Sequence, residues 1–363
     1  MDFADLNRRQ RRLFIAFCVV GVPLITLFLI EGGSSSLILL HEVFSGDDHR
    51  VADPHYTRYD PELGWVPRPN VDLPDVYGPG IGVQINAQGF RHSGPIGVHP
   101  APGRRRLICS GDSFTFGYGV GNSETWCSRL AAEDSTLETV NMAVVGYGVD
   151  QMYLRFLRDA AALDYQFHVV AFIEHDFQRM GPAPLLGADK PRLALRDGKL
   201  SVENTPVPKQ WYTPGWWLRA ARATSELRTS QLFSRLRHGP SEETGAEADS
   251  VIWETAQVVF DELHRLSARK DAELVLVYLP SQPDFDRRTS VWRQVVGEFA
   301  AARSIRYLDL GAEFLQLPAD SMRTFFRPVD GHYSSGAQHW VAKRIHAFLE
   351  RTPALTASGR ASL

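Results

Sequence analysis

The sequence predicts an α/β fold with a central parallel sheet covered by helices on both faces. From residue 105 onward, short apolar runs alternate with longer stretches of helical periodicity. One run, Val169-Val170-Ala171-Phe172-Ile173, is apolar throughout, as a central parallel strand is. The first run, Arg106-Leu107-Ile108-Cys109-Ser110, leads straight into Gly111-Asp112-Ser113-Phe114-Thr115-Phe116-Gly117. That places Ser113 where a strand ends and the chain turns, the edge at which open α/β sheets bind ligands.

The chain has 363 residues, 44% of them hydrophobic and 22% charged. That composition suits a globular protein with a sizeable core, as one large or two small domains. A net charge of -3 does not suggest a nucleic-acid binder, which carries a basic excess. The three cysteines, Cys18, Cys109 and Cys127, rule out a disulfide framework and form no zinc-type cluster. A single Cys109–Cys127 bridge stays open but is disfavoured, because Cys109 reads as interior strand.

The N-terminus speaks to location. Residues 13–30, LFIAFCVVGVPLITLFLI, carry no charge. As a helix they reach about 27 Å at 1.5 Å per residue, close to the roughly 30 Å hydrocarbon core of a bilayer. Arg8, Arg9, Arg11 and Arg12 precede them, so the positive-inside rule keeps the N-terminus cytoplasmic and exports the rest. A cleaved signal peptide is the rival reading. The apolar run is longer than such peptides carry and no A-x-A site follows. Residues 1–31 therefore read as a basic tip and membrane anchor, and 32–55 as a linker.

Residues 56–104 are rich in proline, glycine and aspartate. They read as short strands near 59–65, 82–86 and 88–91, an extension packed on the core by Trp65, Ile85 and Phe90. The main domain spans 105–352. A helix runs over 122–132, capped by Asn122 or Ser123, and a strand covers 139–142. A Gly146-Tyr147-Gly148 turn follows, then a helix over 149–162 and the apolar strand 169–173. The period breaks across 181–250, an insertion over the sheet edge. It holds a hairpin at 192–203 around Asp197-Gly198, the aromatics Trp211, Tyr212, Trp216 and Trp217, a basic helical stretch at 218–237, and a polar, mobile stretch at 239–249. The pattern resumes with a helix at 251–270, a strand at 274–278, a helix at 290–302 and a strand from 305. Ser334 caps a last helix bearing Ala337, Val341, Ile345 and Phe348. Residues 353–363 read as a frayed tail.

A serine nucleophile needs a base, a group that orients the base, and donors for the oxyanion. His332 stands out among the 12 histidines. It lies directly before the last helix, after the last strand, at the same sheet edge as Ser113. Asp330, two residues earlier, is placed to hold its imidazole. The bland alternatives are that Ser113 caps a turn and that Asp330-Gly331-His332 is only a helix entry.

Taken together, these blocks resemble the SGNH (GDSL-type) hydrolases, a family of esterases. The resemblance covers residues 105–180 and 251–350. It implies a flavodoxin-like three-layer α/β/α sandwich. Gly111-Asp112-Ser113, with Thr115 and Phe116, resembles the nucleophile block. Asn141-Met142-Ala143-Val144-Val145-Gly146-Tyr147-Gly148 resembles the glycine block, which implies an oxyanion hole built from the N–H groups of Ser113 and Gly146. Asp330 and His332 match the terminal acid–base block. The extension is similar to the lead-in of bacterial members associated with exopolysaccharides. Two departures stand out. His175, in Ile173-Glu174-His175-Asp176, occupies the place of the expected oxyanion-donating Asn. The terminal block is Asp-x-His, where the family has Asp-x-x-His.

The resemblance implies a Ser113–His332–Asp330 triad with Ser113, Gly146 and His175 around the oxyanion, and no cofactor or metal. The expected substrate is an acylated glycan or another ester. The expected setting is extracytoplasmic, single-pass in the cell membrane, with polysaccharide-synthesis machinery as a partner and no nucleic acid. Two rivals stay open: an O-acyltransferase using the same triad, and a non-catalytic glycan-binding or assembly protein. The Trp211–Trp217 aromatics either stack on sugars, rest at the membrane interface, or pack the insertion on the core.

Overall fold

The structure is a computed structural model that describes residues 7–26, 28–29, 32, 53, 55–181, 188–209, 242–282 and 290–351. The chain divides into two units, 1–49 with 213–244 and 50–212 with 245–363.

In the first unit, Asn7 caps α1 (Arg8–Ala16), its side chain accepting from the N–H of Gln10 while Gln10 answers to the N–H of Asn7. A π-helical turn, Phe17–Gly21, continues it. Neither segment buries a residue, and Leu13, Phe14, Ile15, Val19 and Val20 are all exposed. Among the described residues no helix is long and apolar enough to cross a membrane. The expected 13–30 span includes positions outside the described residues.

The second unit opens with two antiparallel hairpins, β1 (Thr57–Asp60) with β2 (Gly64–Pro67), and β3 (Val71–Leu73) with β4 (Val83–Ile85). Trp65, Ile85 and Phe90 are buried, as expected. Residues 88–91 form no strand. Asn86 Oδ1 accepts from the N–H groups of Gln88 and Phe90, so its side chain supplies the bonds and the chain turns.

Five parallel strands follow: β5 (Arg105–Ser110), β6 (Leu137–Asn141), β7 (Phe167–Phe172), β10 (Glu273–Tyr278) and β11 (Arg306–Asp309), in the order β11-β10-β7-β5-β6. Counted in chain order this is 2-1-3-4-5, the flavodoxin-like arrangement, with its switch point between β5 and β7. The hairpin β8 (Arg192–Arg196) with β9 (Lys199–Glu203) lies outside this sheet, at the predicted position.

Side chains alternate across the sheet. Ile108, Val140, Val170 and Leu276 enter a core shared with Val149, Met152, Val259 and Val296. Leu107, Cys109, Val169 and Val275 enter a second core shared with Leu130, Val341 and Ile345. Helices therefore cover both faces. α2 (Ser113–Phe116) follows β5, and α3 (Trp126–Glu133) follows a 3₁₀ turn over Asn122–Glu124 where one helix is predicted. α4 (Val149–Arg155) runs on into a π-turn over Phe156–Ala160. α5 (Glu174–Gln178) follows β7. α6 (Glu242–Ala268) begins nine residues before the predicted start at 251, so 242–249 is helical and not a loop. α7 (Val291–Ala302), α8 (Leu310–Phe314), α9 (Ala319–Phe325) and α10 (Ser335–Glu350) complete the unit. The short helices α8 and α9 carry too few turns to show periodicity. Ser334 caps α10 as predicted, accepting from the N–H of Ala337. The aromatics Trp211–Trp217, the basic stretch 218–237, most of the linker and the tail after 352 lie outside the described residues.

One expectation is overturned. Cys109 and Cys127 form a disulfide, with Cα atoms 6.4 Å apart. Cys109 is interior strand, but its side chain faces α3, whose first turn brings an equally buried Cys127 over it. Burial on the strand favours the bond because its partner is the covering helix. Closing a loop of this size (sequence separation 18) stabilises by about 3 kcal/mol in the chain-entropy treatment. Urea unfolding with and without a strong reductant checks this; a difference of that size is expected.

Candidate active site

Ser113 is the first residue of α2. Asp112 caps the helix, its Oδ1 accepting from the N–H of Phe114 at 2.9 Å, and Gly117 ends it in the left-handed region at φ 81°. So short a helix between a capping aspartate and a glycine turns Ser113 to the carboxyl edge of β5, beside the switch point. Ser113 is buried, with 3% of its surface exposed.

His332 reaches it from the loop before α10. Its Nε2 lies 2.9 Å from Ser113 Oγ, across 219 residues of sequence. The imidazole is held between Phe114 and Tyr118, with ring centroids 5.1 and 4.7 Å away. Asp330 stands on the other side, Oδ1 lying 3.5 Å from His332 Nδ1. That contact is long for a reason visible in the spacing. With one residue between them, Asp330 Oδ1 also accepts the backbone N–H of His332 at 3.1 Å. Its Oδ2 faces Arg327 Nη2 at 3.4 Å. Partial burial pushes the Asp330 carboxyl up, but the contacts from His332 and the charge of Arg327 outweigh it and hold it below the usual carboxylate range. Asp330 is therefore anionic, facing Nδ1, which assigns the proton to Nδ1 and leaves Nε2 free to accept from the serine.

Two of the three predicted oxyanion donors are backbone N–H groups. Among the described residues, no hydrogen bond engages the backbone N–H of Ser113 or of Gly146. A first-turn N–H has no partner inside its own helix. His175 lies in the first turn of α5, after β7, where it is exposed and its imidazole makes no hydrogen bond among the described residues. Its neighbour Asp176 is the anchored one, fully buried, accepting the N–H of Ile173 on Oδ2.

Sequence reasoning passed over several residues that build the site. Arg91 is buried and, among the described residues, pairs with no carboxylate. It donates to the carbonyls of Phe116, Gly117 and Val120 and to Asn122 Oδ1. A cation at these carbonyls suits the end of α2 and fixes the turn carrying Tyr118. Burial pushes the Arg91 guanidinium down to about 10, which leaves it charged at neutral pH. Trp65 Nε1 donates to the Val145 carbonyl at 2.9 Å, and the Tyr147 hydroxyl returns to the Trp65 carbonyl at 2.6 Å. The extension thus grips the turn after the nucleophile through Arg91 and the glycine block through Trp65. Gly119 lies at φ 83°, the left-handed region that favours glycine, with the Arg327 guanidinium against it. Arg179, Asp112 and Asp176 form a buried ion cluster under the site. Single charged residues in a turn carry no periodic signal; the one available clue is that Asp176 and Arg179 lie three apart on one helical turn.

A separate cleft of about 570 Å³ lies between β3–β4 and α3, lined by Gln84, Arg91, His92, Asn122 and Ser128 among others; neither Ser113 nor His332 lines it. Among the described residues no group of three or more His, Cys, Asp or Glu side chains is placed to hold a metal ion.

No family model matches the chain, and no curated protein matches it. Solved structures resemble it. A member of the lipolytic protein G-D-S-L family from Veillonella parvula DSM 2008 shares 14% identity over 68% of this chain and 100% of that chain, with a TM-score of 0.38. A lipase/acylhydrolase from Enterococcus faecalis shares 12% identity over 68% of this chain and 95% of that chain, with a TM-score of 0.39. The acetyl xylan esterase AlAXEase shares 10% identity over 67% of this chain and 99% of that chain, with a TM-score of 0.38. At this distance the likeness carries no assignment.

Proposed function

We propose that this chain is a membrane-anchored, extracytoplasmic serine ester hydrolase that deacylates, and most simply deacetylates, an envelope or exported glycan. The observation that carries the catalytic part is the 2.9 Å contact between Ser113 Oγ and His332 Nε2 at the switch point of the sheet. Asp330, although loosely, stands behind the imidazole.

Chemistry follows from these positions. Ser113 Oγ attacks the ester carbonyl as His332 Nε2 takes its proton. The carbonyl oxygen becomes an oxyanion, received by the N–H groups of Ser113 and Gly146 with His175 as third donor. Asp330 stabilises the imidazolium. The tetrahedral species collapses, the C–O bond to the sugar breaks, and the leaving oxygen takes the proton from His332. Water then gives a proton to His332 and attacks the acyl-serine; the bond from carbon to Ser113 Oγ breaks, Oγ takes the proton back from His332, and the carboxylic acid leaves. No cofactor enters these steps.

Location rests on different observations. Arg8, Arg9, Arg11 and Arg12 form the basic first half of α1, and the apolar residues Leu13, Phe14, Ile15, Val19 and Val20 that follow are exposed. The Cys109–Cys127 disulfide suits an oxidising compartment. Export and anchoring together put an immobile envelope polymer within reach.

The test is acetate release from an O-acetylated polysaccharide by the full chain, with Ser113→Ala alongside. Serine-dependent release is expected. No release from a panel of acetylated glycans, with none from a short-chain acetyl ester, sinks the reading. Acyl groups found on a sugar acceptor in place of water would make the enzyme a transferase. If His175 donates to the oxyanion, His175→Ala lowers kcat by ~10²-fold while His175→Asn holds it near wild type. Equal rates for all three proteins would remove His175 from the hole.

A further inference from the structure

Arg179 joins three loops of the site through a single nitrogen. Its Nη1 donates to Asp112 Oδ2 at 2.9 Å, to Asp176 Oδ1 at 2.5 Å and, more weakly, to the Tyr147 carbonyl at 3.3 Å. Asp112 precedes Ser113, Tyr147 follows Gly146, and Asp176 follows His175. Both carboxylates are fully buried. Two carboxylates around one guanidinium leave a surplus negative charge in the interior. Burial and the neighbouring Asp112 charge push the Asp176 carboxyl well up.

That matters for the serine. Its hydroxyl has one hydrogen and two acceptors within reach, His332 Nε2 at 2.9 Å and Asp112 Oδ2 at 3.4 Å. An anionic carboxylate is the stronger acceptor when left bare. A hydrogen turned toward Asp112 is lost to His332, and the attack has no base. Asp112 Oδ1 is already taken by the N–H of Phe114. Oδ2 is the rival within reach of the serine, and Arg179 is the cation that engages it.

We propose that Arg179 is a positioning residue of this site. By binding Asp112 Oδ2 it silences the rival acceptor and leaves His332 as the only base for Ser113. Its ties to Asp176 and Tyr147 fix the loops that bear His175 and Gly146. The proposal rests on the serine-hydrolase reading above.

The test uses the full chain and four variants: Arg179→Met, Arg179→Lys, Asp112→Asn, and Arg179→Met combined with Asp112→Asn. Two rates are read. One is kcat and KM on a short-chain acetyl ester. The other is modification of Ser113 by a fluorophosphonate, in which an Oγ–P bond forms, fluoride leaves and the serine proton passes to His332. Arg179→Met is expected to lower kcat and the modification rate by about 10²-fold with KM little changed, an effect on the order of losing one oxyanion donor. Arg179→Lys keeps most of both rates. Adding Asp112→Asn to Arg179→Met restores at least ~10-fold, because the neutral amide competes poorly for the hydroxyl; this is the non-additivity a coupled pair shows. A merely structural Arg179 gives losses that add, and that result overturns the proposal, as does an Arg179→Met protein with unchanged kcat. Should Arg179→Met fail to fold, Arg179→Gln, which keeps a donor without the charge, is read in its place. A wild-type protein that labels at Ser113 but turns over no ester refutes the proposed substrate alone, and the labelling rates then decide on Arg179. A wild type that does neither overturns both.

Discussion

His332→Ala is expected to lower kcat on a short-chain acetyl ester by roughly 10⁴–10⁶-fold, the scale on which serine hydrolases lose their base. Asp330→Asn is expected to cost far less, about 10–10²-fold. In a tight triad the acid's amide variant loses ~10⁴. Here Asp330 Oδ1 is 3.5 Å from Nδ1 and is shared with the His332 N–H, while Oδ2 faces Arg327. The imidazole is held as much by Phe114 and Tyr118 as by its acid. The unequal losses check the geometry, since equal losses would mean that Asp330 closes on His332 during turnover.

The second large effect is on stability in acid. His168 lies fully buried on β7, stacked on Phe156 with ring centroids 4.1 Å apart and bonded to Ser110 Oγ at 2.8 Å. Burial pushes its imidazole down to about 3. An unfolded chain protonates this histidine near 6.5, so between those values the unfolded state binds more protons and stability falls as pH falls. From pH 7 to pH 4 the loss from this one group is about 3 kcal/mol. Urea unfolding of wild type and His168→Asn over that range isolates it. The variant is expected to start less stable and to fall less steeply; parallel slopes would show that His168 does not report the acid transition.

Much of this was legible in the sequence, and the reasons differ by element. The inner strands β5, β7 and β10 are short, largely apolar runs buried on both faces, so composition locates them within a residue or two, whereas the mixed edge strands β6 and β11 are located by their place in the alternation. Ser113, Asp330 and His332 could be singled out because each sits at a strand or helix end, and the fold delivers such ends to one edge. Cys109 was misread because burial was taken as an argument against bonding, when the helix covering the strand supplied the partner. The start of α6 is not legible because residues 239–249 are polar and carry no apolar helical periodicity. Arg91 and Arg179 could not be read. Each acts through backbone carbonyls or carboxylates brought together from segments far apart in the chain, and the Asp176–Arg179 spacing is the one local mark.

The most direct test of the account is to react the full chain with a fluorophosphonate and locate the adduct by peptide mass mapping. The 2.9 Å Ser113–His332 contact predicts one adduct, on Ser113, absent in Ser113→Ala and slowed by orders of magnitude in His332→Ala. A folded wild-type protein that stays unmodified, or carries its adduct on another residue, contradicts a serine nucleophile at this site.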